Sequence, residues 1–454
     1  MIVNQSATFT PDELARLDFA CEHINQDNRF LSLAASGHNV FLTGMAGTGK
    51  STLLKQFIKN ATSFSVNANG ELKGRRVDVT APTGVAALNV GGMTIHRFCG
   101  MMLGPQAGQT NEQYFEILRQ DTRRSVLNGF KRVRNCQCLV IDEISMLPGR
   151  QLDFVEYLFR RLRDIDEPFG GCQVVATGDF LQLPPVRHSD SAPYDWAFLS
   201  PAWERAGFYT VILDKVRRQD EPDFVRALAD FREGRIVGSS AALLQGRVKN
   251  FPASNLTRLF THNVQVDKWN NFQLGELPGD AFVFPALKSG PEAQVEFLQK
   301  NLLTPETLML KPGAVVMFTV NKNPNAESPV SFVNGQVGVI EDCDENGIIL
   351  VRTKDSSYDG LIQVEPFTWQ YSQNDDTSGK FTQYPLRLAW AMTIHKSQGL
   401  TLDSAYVDIR AAREPGQAYV AVSRVRTLAG LNFKEWPKGV FVSPEAVKFY
   451  REVL

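Results

Sequence analysis

The stretch that decides the reading is Gly44–Ser51, GMAGTGKS, whose spacing is G-x4-G-K-S. Residues Asn39–Thr43 (NVFLT) enter it as a short apolar strand, and Ser51–Lys59 leave it as a helix. In such a strand–loop–helix the backbone N–H groups of Met45–Lys50 point at phosphate oxygens, and the helix N-terminus adds favourable partial charge. Lys50 brings a point charge to the β and γ phosphates, and Ser51 brings a hydroxyl for Mg2+. The nucleotide-binding set is therefore Gly44, Met45, Ala46, Gly47, Thr48, Gly49, Lys50, Ser51 and Thr52.

Outward from this loop, the first half alternates strands and helices. Val77–Thr80 (VDVT), Cys138–Ile141 (CLVI) and Gln173–Thr177 (QVVAT) have the composition of buried strands. Leu152, Val155, Leu158 and Leu162 mark one face of an intervening helix. Such alternation implies a parallel sheet covered on both faces, with ligands at the carboxyl ends of its strands. Asp142 in LVIDEISML lies at such an end and can hold Mg2+ through its hydration shell; Glu143 can polarise an attacking water as general base. Gln182 in TGDFLQLPPV reads either as a γ-phosphate sensor or as a polar loop residue before a Pro-Pro turn. Arg218 in LDKVRRQ and Arg424 in GQAYVAVSRVR can stabilise charge on a transferred phosphoryl group if a second α/β domain closes on the first; otherwise each is a solvated arginine.

The 454 residues suffice for two to four domains. A net charge of -1 excludes a global basic field, so any polyanion surface must come from local segregation of charge. Arg123, Arg124, Lys131, Arg132 and Arg134 form one candidate cluster, for which a solvated face is the plainer reading. Six scattered cysteines without a C-x2-C pair read as reduced structural thiols of a cytoplasmic protein. The N-terminus has neither an apolar signal core nor an Arg-rich transit segment, and no apolar run of membrane-spanning length occurs.

The second half repeats the α/β theme at Thr257–Thr261 and Ala405–Ile409. Between them, short β-branched runs punctuated by Asn334-Gly335 and Asn346-Gly347 predict a small β-barrel-like insertion. The polar segment Gln373–Lys380 (QNDDTSGK) predicts a mobile loop, Ser63–Arg76 a loop or small protruding hairpin, and Pro444–Leu454 a terminal helix.

After the P-loop come, in order, APTGVAA, TIHRF, DEISM, TGDFLQLPPV, LDKVRRQ, AMTIHKSQGLTL and GQAYVAVSRV. This series resembles the motifs of superfamily 1 helicases, and PFGGCQVVATGDFLQLPP (Pro168–Pro185) resembles the signature of the petite integration frequency (PIF) DNA helicases of superfamily 1B, in a compact bacterial or phage-type member. The resemblance runs from about Gly37 to about Asn432, and seven ordered motifs make it specific. It implies two RecA-like domains with ATP between them, an SH3-like insertion in the second domain and a wedge-like insertion in the first. The expected organisation is a first domain over 1–212 with the wedge at 63–76, a second over 213–295 and 386–433, the insertion over 296–385 and a tail over 434–454.

The resemblance further implies Mg2+- and ATP-dependent translocation 5′ to 3′ on single-stranded DNA and unwinding of forks, in some members of G-quadruplexes or RNA–DNA hybrids. Lys50, Ser51, Asp142, Glu143, Gln182, Arg218 and Arg424 match the family's ATP-site positions, and Gln398 and Gly399 in HKSQG join that cleft. The strand-contacting positions carried over are Pro82, Thr83, Gly84, Thr94, His96, His262, Asn263, Thr393, His395 and Ser397. Small donors and imidazoles suit phosphates and sugars without reading bases. Three of the six histidines fall in these motifs and none has metal-ligand spacing, which argues for nucleic acid over zinc. The free chain is expected to be monomeric and off the membrane. Glu13 in FTPDELARLDF stands where an adenine-reading Gln is expected, so the adenine contacts stay open. The rival readings are a RecD-like subunit, an ATP-gated clamp that binds without unwinding, and a P-loop kinase or small-molecule ATPase.

Overall fold

The computed structural model describes residues 26–63, 76–102, 104–106, 108–187, 193–249, 256–322, 332, 334–353, 360–374 and 377–453. Ser63–Arg76 falls almost entirely, and Glu13 wholly, outside these residues. The chain divides into two compact units. The first is Met1–Pro82, Val90–Asp179 and Arg187–Lys215; the second is Thr83–Asn89, Phe180–Val186 and Val216–Leu454.

In the first unit, β1 (Val40–Gly44), β2 (Val77–Ala81), β3 (Met93–Thr94), β4 (Cys138–Ile141), β5 (Gln173–Thr177) and β6 (Tyr209–Leu213) form one sheet in the order β3-β2-β4-β5-β1-β6. Every pairing is parallel. Parallel strands need crossovers, and the helices that supply them cover both faces. All five residues of β1 are accordingly buried. Val40 and Leu42 face the helices Gln26–Ala35 and Lys50–Ser63 through Phe30, Leu53, Leu54 and Phe57. Phe41 points the other way, edge-on to Trp203 at 5.0 Å. The helix expected around Leu152, Val155 and Leu158 is Gly149–Arg163, and those three side chains are fully buried.

The second unit adds β7 (Thr257–Phe260), β8 (Phe282–Pro285), β9 (Leu287–Ser289), β10 (Thr307–Leu310), β11 (Val315–Phe318), β12 (Val337–Cys343) and β13 (Ile349–Thr353). Next come β14 (Leu361–Gln363), β15 (Phe367–Asn374), β16 (Thr377–Gln383), β17 (Leu386–Leu388), β18 (Ala391–Thr393), β19 (Ala405–Val407) and β20 (Leu431–Phe433). A second parallel sheet runs β18-β7-β19-β20. Between its strands lie an antiparallel sheet β14-β13-β12-β11-β17, a three-stranded sheet β15-β16-β9 and the pair β10-β8.

One expectation is overturned here. The described residues of Gln373–Lys380 are strand rather than loop: β15 and β16 pair antiparallel out to Asn374 and Thr377, and β9 extends the pairing along Lys380–Thr382. Cross-strand contacts such as Thr368 Oγ1 to Thr382 Oγ1 at 2.8 Å hold together strands whose polar ends composition alone reads as coil. The described cysteines, Cys99, Cys136, Cys138, Cys172 and Cys343, are free and buried, with the Cys136 and Cys172 sulfurs 3.6 Å apart. Among the described residues no helix is long and apolar enough to cross a membrane.

Candidate nucleotide site and nucleic-acid interface

The P-loop leaves β1 at Gly44 and re-enters helix at Lys50. Gly44, Gly47 and Gly49 have φ of 147°, 84° and 94°, conformations that side chains resist. A Cβ on Gly44 would meet the Leu213 carbonyl oxygen at 2.6 Å, so β6 closes off any other residue there. Lys50 Nζ donates to the carbonyl oxygens of Gly44 (2.8 Å) and Met45 (3.0 Å), which holds the ammonium over the loop. Thr48 Oγ1 donates to Met45 O at 3.0 Å. Ala46 and Thr48 are buried, Met45, Gly47 and Gly49 half-buried, and Ser51 and Thr52 exposed.

Sheet order sets the next partners: β5 lies between β1 and β4, so their carboxyl ends share one edge. Asp142 follows β4 and is 6% exposed. Its Oδ1 accepts from Thr177 Oγ1 at the end of β5, and from the Glu143 N–H at 3.0 Å. Burial pushes the Asp142 carboxyl above its ordinary range, opposed by those two hydrogen bonds and by the charges of Lys50 and Lys55. Glu143 has φ of 52°, a left-handed backbone that a non-glycine residue adopts only under constraint.

In the second unit, Gln182 is 4% exposed and the helix Gln417–Val422 starts directly against its backbone. A Cβ on Gly416, whose φ is 73°, would come within 2.1 Å of the Gln182 carbonyl oxygen. That helix ends at Ser423, where both arginines meet. Arg218 donates from Nη1 to the Ser423 carbonyl oxygen (3.0 Å) and from Nε to Thr401 Oγ1 (3.1 Å). Arg424, 1% exposed, donates to Ser423 Oγ (2.8 Å) and to Val420 O (2.7 Å). Burial lowers the Arg218 pKa to about 10, which leaves it charged at neutral pH. Gln398 follows the short helix Ile394–Ser397, and its Nε2 is buried without a hydrogen-bond partner; Gly399 turns at φ 79° beside it.

The strand-contact candidates form two matching devices. In the first unit, edge strand β3 ends at Thr94, which pairs with Ala81 of β2 and caps the helix Ile95–Cys99 by accepting from the Arg97 N–H. In the second, edge strand β18 ends at Thr393, which pairs with Phe260 of β7 and caps Ile394–Ser397 by accepting from the Lys396 N–H. The isoleucine after each threonine is fully buried, and the histidine follows. Burial lowers the pKa of His96, whereas His395 is exposed and lies 3.2 Å from Glu414. Ser397 is buried and donates to Ile394 O.

Beyond the neighbouring strands come the remaining candidates. Pro82 follows β2, Thr83 Oγ1 accepts from the Ala86 N–H, and a Cβ on Gly84 would overlap Asn301 Oδ1. Past β7, His262 and Asn263 are exposed where the helix Asn263–Glu276 begins, with His262 Nδ1 2.7 Å from Thr261 Oγ1. Of the basic cluster, Arg124, Lys131 and Arg134 are exposed on the helix Arg124–Asn135. Arg132 turns inward to the carbonyls of Arg97 and Phe98, and Arg123 pairs with Asp121.

Known proteins similar to this chain include several Pif1 helicases. The sequence matches PIF1-like helicase over residues 27–237. An ATP-dependent DNA helicase Pif1 of Bdellovibrio bacteriovorus is 37% identical, over 93% of this chain and 90% of its own. The chain belongs to the PIF1-like helicases. A Xenopus laevis relative, ATP-dependent DNA helicase PIF1, is 36% identical over 93% of this chain, which spans 63% of that longer protein. Bacteroides sp Pif1 in complex with ADP-AlF4 superposes with a TM-score of 0.77 at 30% identity, covering 94% of this chain and 96% of that one. Bacteroides Pif1 bound to ssDNA superposes with 0.60 over the same shares.

For a PIF1-like helicase, then, the motifs were readable, but the residues that hold them were not. Thr177, Ser423, Gln219 and Gly416 escaped the sequence reading. Gln219 Nε2 donates to the carbonyls of Ser423 (3.3 Å) and Val425 (2.7 Å), fixing the turn at which both arginines sit. Only Thr177 carried a signal, as the last strand residue of a Thr-Gly-Asp turn.

Proposed function

We propose that this PIF1-like helicase couples ATP hydrolysis to 5′-to-3′ translocation on single-stranded DNA and to unwinding of forks, and that G-quadruplexes and RNA–DNA hybrids fall within its reach. The observation that carries the reading is the shared sheet edge at which the P-loop, Asp142 and Thr177 lie side by side. Gly44–Thr52 cradle the phosphates and Lys50 neutralises the β and γ oxygens. The exposed Ser51 hydroxyl and the Asp142 carboxylate are hard oxygen donors that fit Mg2+, which would screen phosphate charge when bound with the nucleotide. Glu143 takes a proton from the attacking water, Gln182 reports the γ-phosphate, and Arg218 and Arg424 meet charge developing on the phosphoryl group. Gln398, with its buried and partnerless amide nitrogen, and Gly399 complete that set.

Thr83, Gly84, Thr94 and His96 hold the DNA backbone for the first lobe, beside Pro82. Thr393, His395, Ser397, His262 and Asn263 hold it for the second. The expected lobes are 1–212, with a wedge at 63–76, and 213–295 with 386–433; 296–385 is their SH3-like insertion and 434–454 a tail. The matching threonine-capped helices at both sheet edges support two alternating grips. The buried free thiols fit a reducing compartment such as the cytoplasm, where the free chain is read as a monomer.

Displacement assays on two labelled forks, one with a 5′ tail and one with a 3′ tail, test the proposal. Only the 5′-tailed fork should open, and only with Mg-ATP. ATP turnover stimulated by DNA without displacement of either strand would replace unwinding by a clamp.

A further inference from the structure

Asn270, on the helix Asn263–Glu276, is 7% exposed and turns its whole side-chain amide to the backbone of one residue in the neighbouring sheet. Asn270 Nδ2 donates to the Ala391 carbonyl oxygen at 3.0 Å, and the Ala391 N–H donates to Asn270 Oδ1 at 2.8 Å. Ala391 opens β18, the edge strand of the parallel sheet, whose only strand neighbour in that sheet among the described residues is β7. The Arg258 N–H donates to the Trp390 carbonyl oxygen at 2.8 Å. By the alternation of a parallel ladder, Ala391 therefore turns its own N–H and C=O away from β7, to the open edge. Ala391 is fully buried, so water does not reach those groups. The Asn270 amide thus stands in for a missing strand, at one residue.

Two residues further along is Thr393, whose hydroxyl caps the helix that carries His395. A buried asparagine that matches both backbone polar groups of one residue fixes the height and tilt of the strand end, which an apolar filler would not. We propose that Asn270 is a positioning residue for the nucleic-acid grip of the second unit, pinning Ala391 so that Thr393 and His395 meet the DNA backbone in register. This rests on reading Thr393 and His395 as strand contacts.

The test titrates the ATPase of the full chain with oligo(dT) for wild type, Asn270→Leu, Asn270→Asp, Thr393→Ala and the double variant Asn270→Leu/Thr393→Ala. Asn270→Leu should raise the oligo(dT) concentration for half-maximal stimulation about fivefold to tenfold, the effect of two lost hydrogen bonds. Unstimulated turnover and the KM for ATP should stay within about twofold, a split that general loosening would not produce. Asn270→Asp keeps the acceptor for the Ala391 N–H and should fall between. The double variant should bind no more weakly than Thr393→Ala, because both act through one contact. Unchanged half-stimulation in Asn270→Leu, or independent multiplying losses in the double variant, would overturn the proposal. If circular dichroism shows Asn270→Leu unfolded, an unchanged Asn270→Asp overturns it instead. Wild-type turnover indifferent to oligo(dT) would remove the strand-contact reading as well, and so marks a different failure.

Discussion

The Thr177 hydroxyl donates to the Asp142 carboxylate across the carboxyl ends of two adjacent parallel strands. The carboxylate is thereby aimed before any ligand arrives, at the cost of burying a charge. Burial raises its pKa above that of the unfolded chain. A raised folded pKa means that Asp142 favours the fold while protonated, and that this contribution is lost as pH rises through the folded value.

Asp142→Asn keeps an acceptor for Thr177 and the Glu143 N–H while removing the charge. The ligand-free variant should melt at a higher temperature than wild type at about pH 8, and the difference should shrink as the pH is lowered towards the folded pKa of Asp142. Turnover should fall about a hundredfold or more. A variant that melts lower throughout that range would contradict the assignment.

Lys50→Ala removes the point charge over the phosphate loop. Stimulated turnover should drop by about two to three orders of magnitude, while single-strand binding stays near wild type in anisotropy titrations. Comparable loss of binding would move Lys50 from chemistry to folding.

Arg218 and Arg424 meet at Ser423, yet differ in burial. Arg218→Lys keeps charge but loses the planar fork, so kcat should fall about a hundredfold with little change in KM or melting temperature. Arg424→Ala removes the guanidinium donors to Val420 O and Ser423 Oγ in a buried setting, leaving Val420 O the Ser423 hydroxyl, and should also destabilise by about 1–3 kcal/mol. Denaturant titration beside steady-state kinetics separates the two.

Gly416→Ala places a methyl group where the Gln182 carbonyl already sits, at a positive φ. It should destabilise by about 1–3 kcal/mol. Stimulated turnover should fall more than single-strand affinity, because the strain falls on the Gln182 segment.

Salt titration checks the backbone contacts. Single-strand affinity should fall with a log–log slope of about −0.7 per neutralised phosphate. Thr393→Ala should weaken binding across all sequences alike, since backbone contacts carry no base code. A flat salt response would leave the contact set without support.

What the sequence disclosed was what lies close along the chain. Gly44–Ser51 and Asp142 were legible because strand, turn and helix succeed one another within a few residues. The contacts that brace them span far longer separations: Thr177 to Asp142, Gly416 to Gln182, Asn270 to Ala391. No local pattern records such pairs, since each partner alone is an ordinary threonine, glycine or asparagine. The strand residues within Gln373–Lys380 escape a local reading for the same reason, since their strand character arises from cross-strand partners rather than from their own polar side chains.

Glu143 carries a last consequence. Its twisted backbone is one that glycine would enter freely, so the native side chain sits there against local preference. Chemistry and conformational ease therefore ask for different amino acids at one position. Glu143→Gly should yield a sturdier but idle enzyme and Glu143→Gln an idle one no sturdier than its parent, so the gap between their melting temperatures measures the tension stored at that turn.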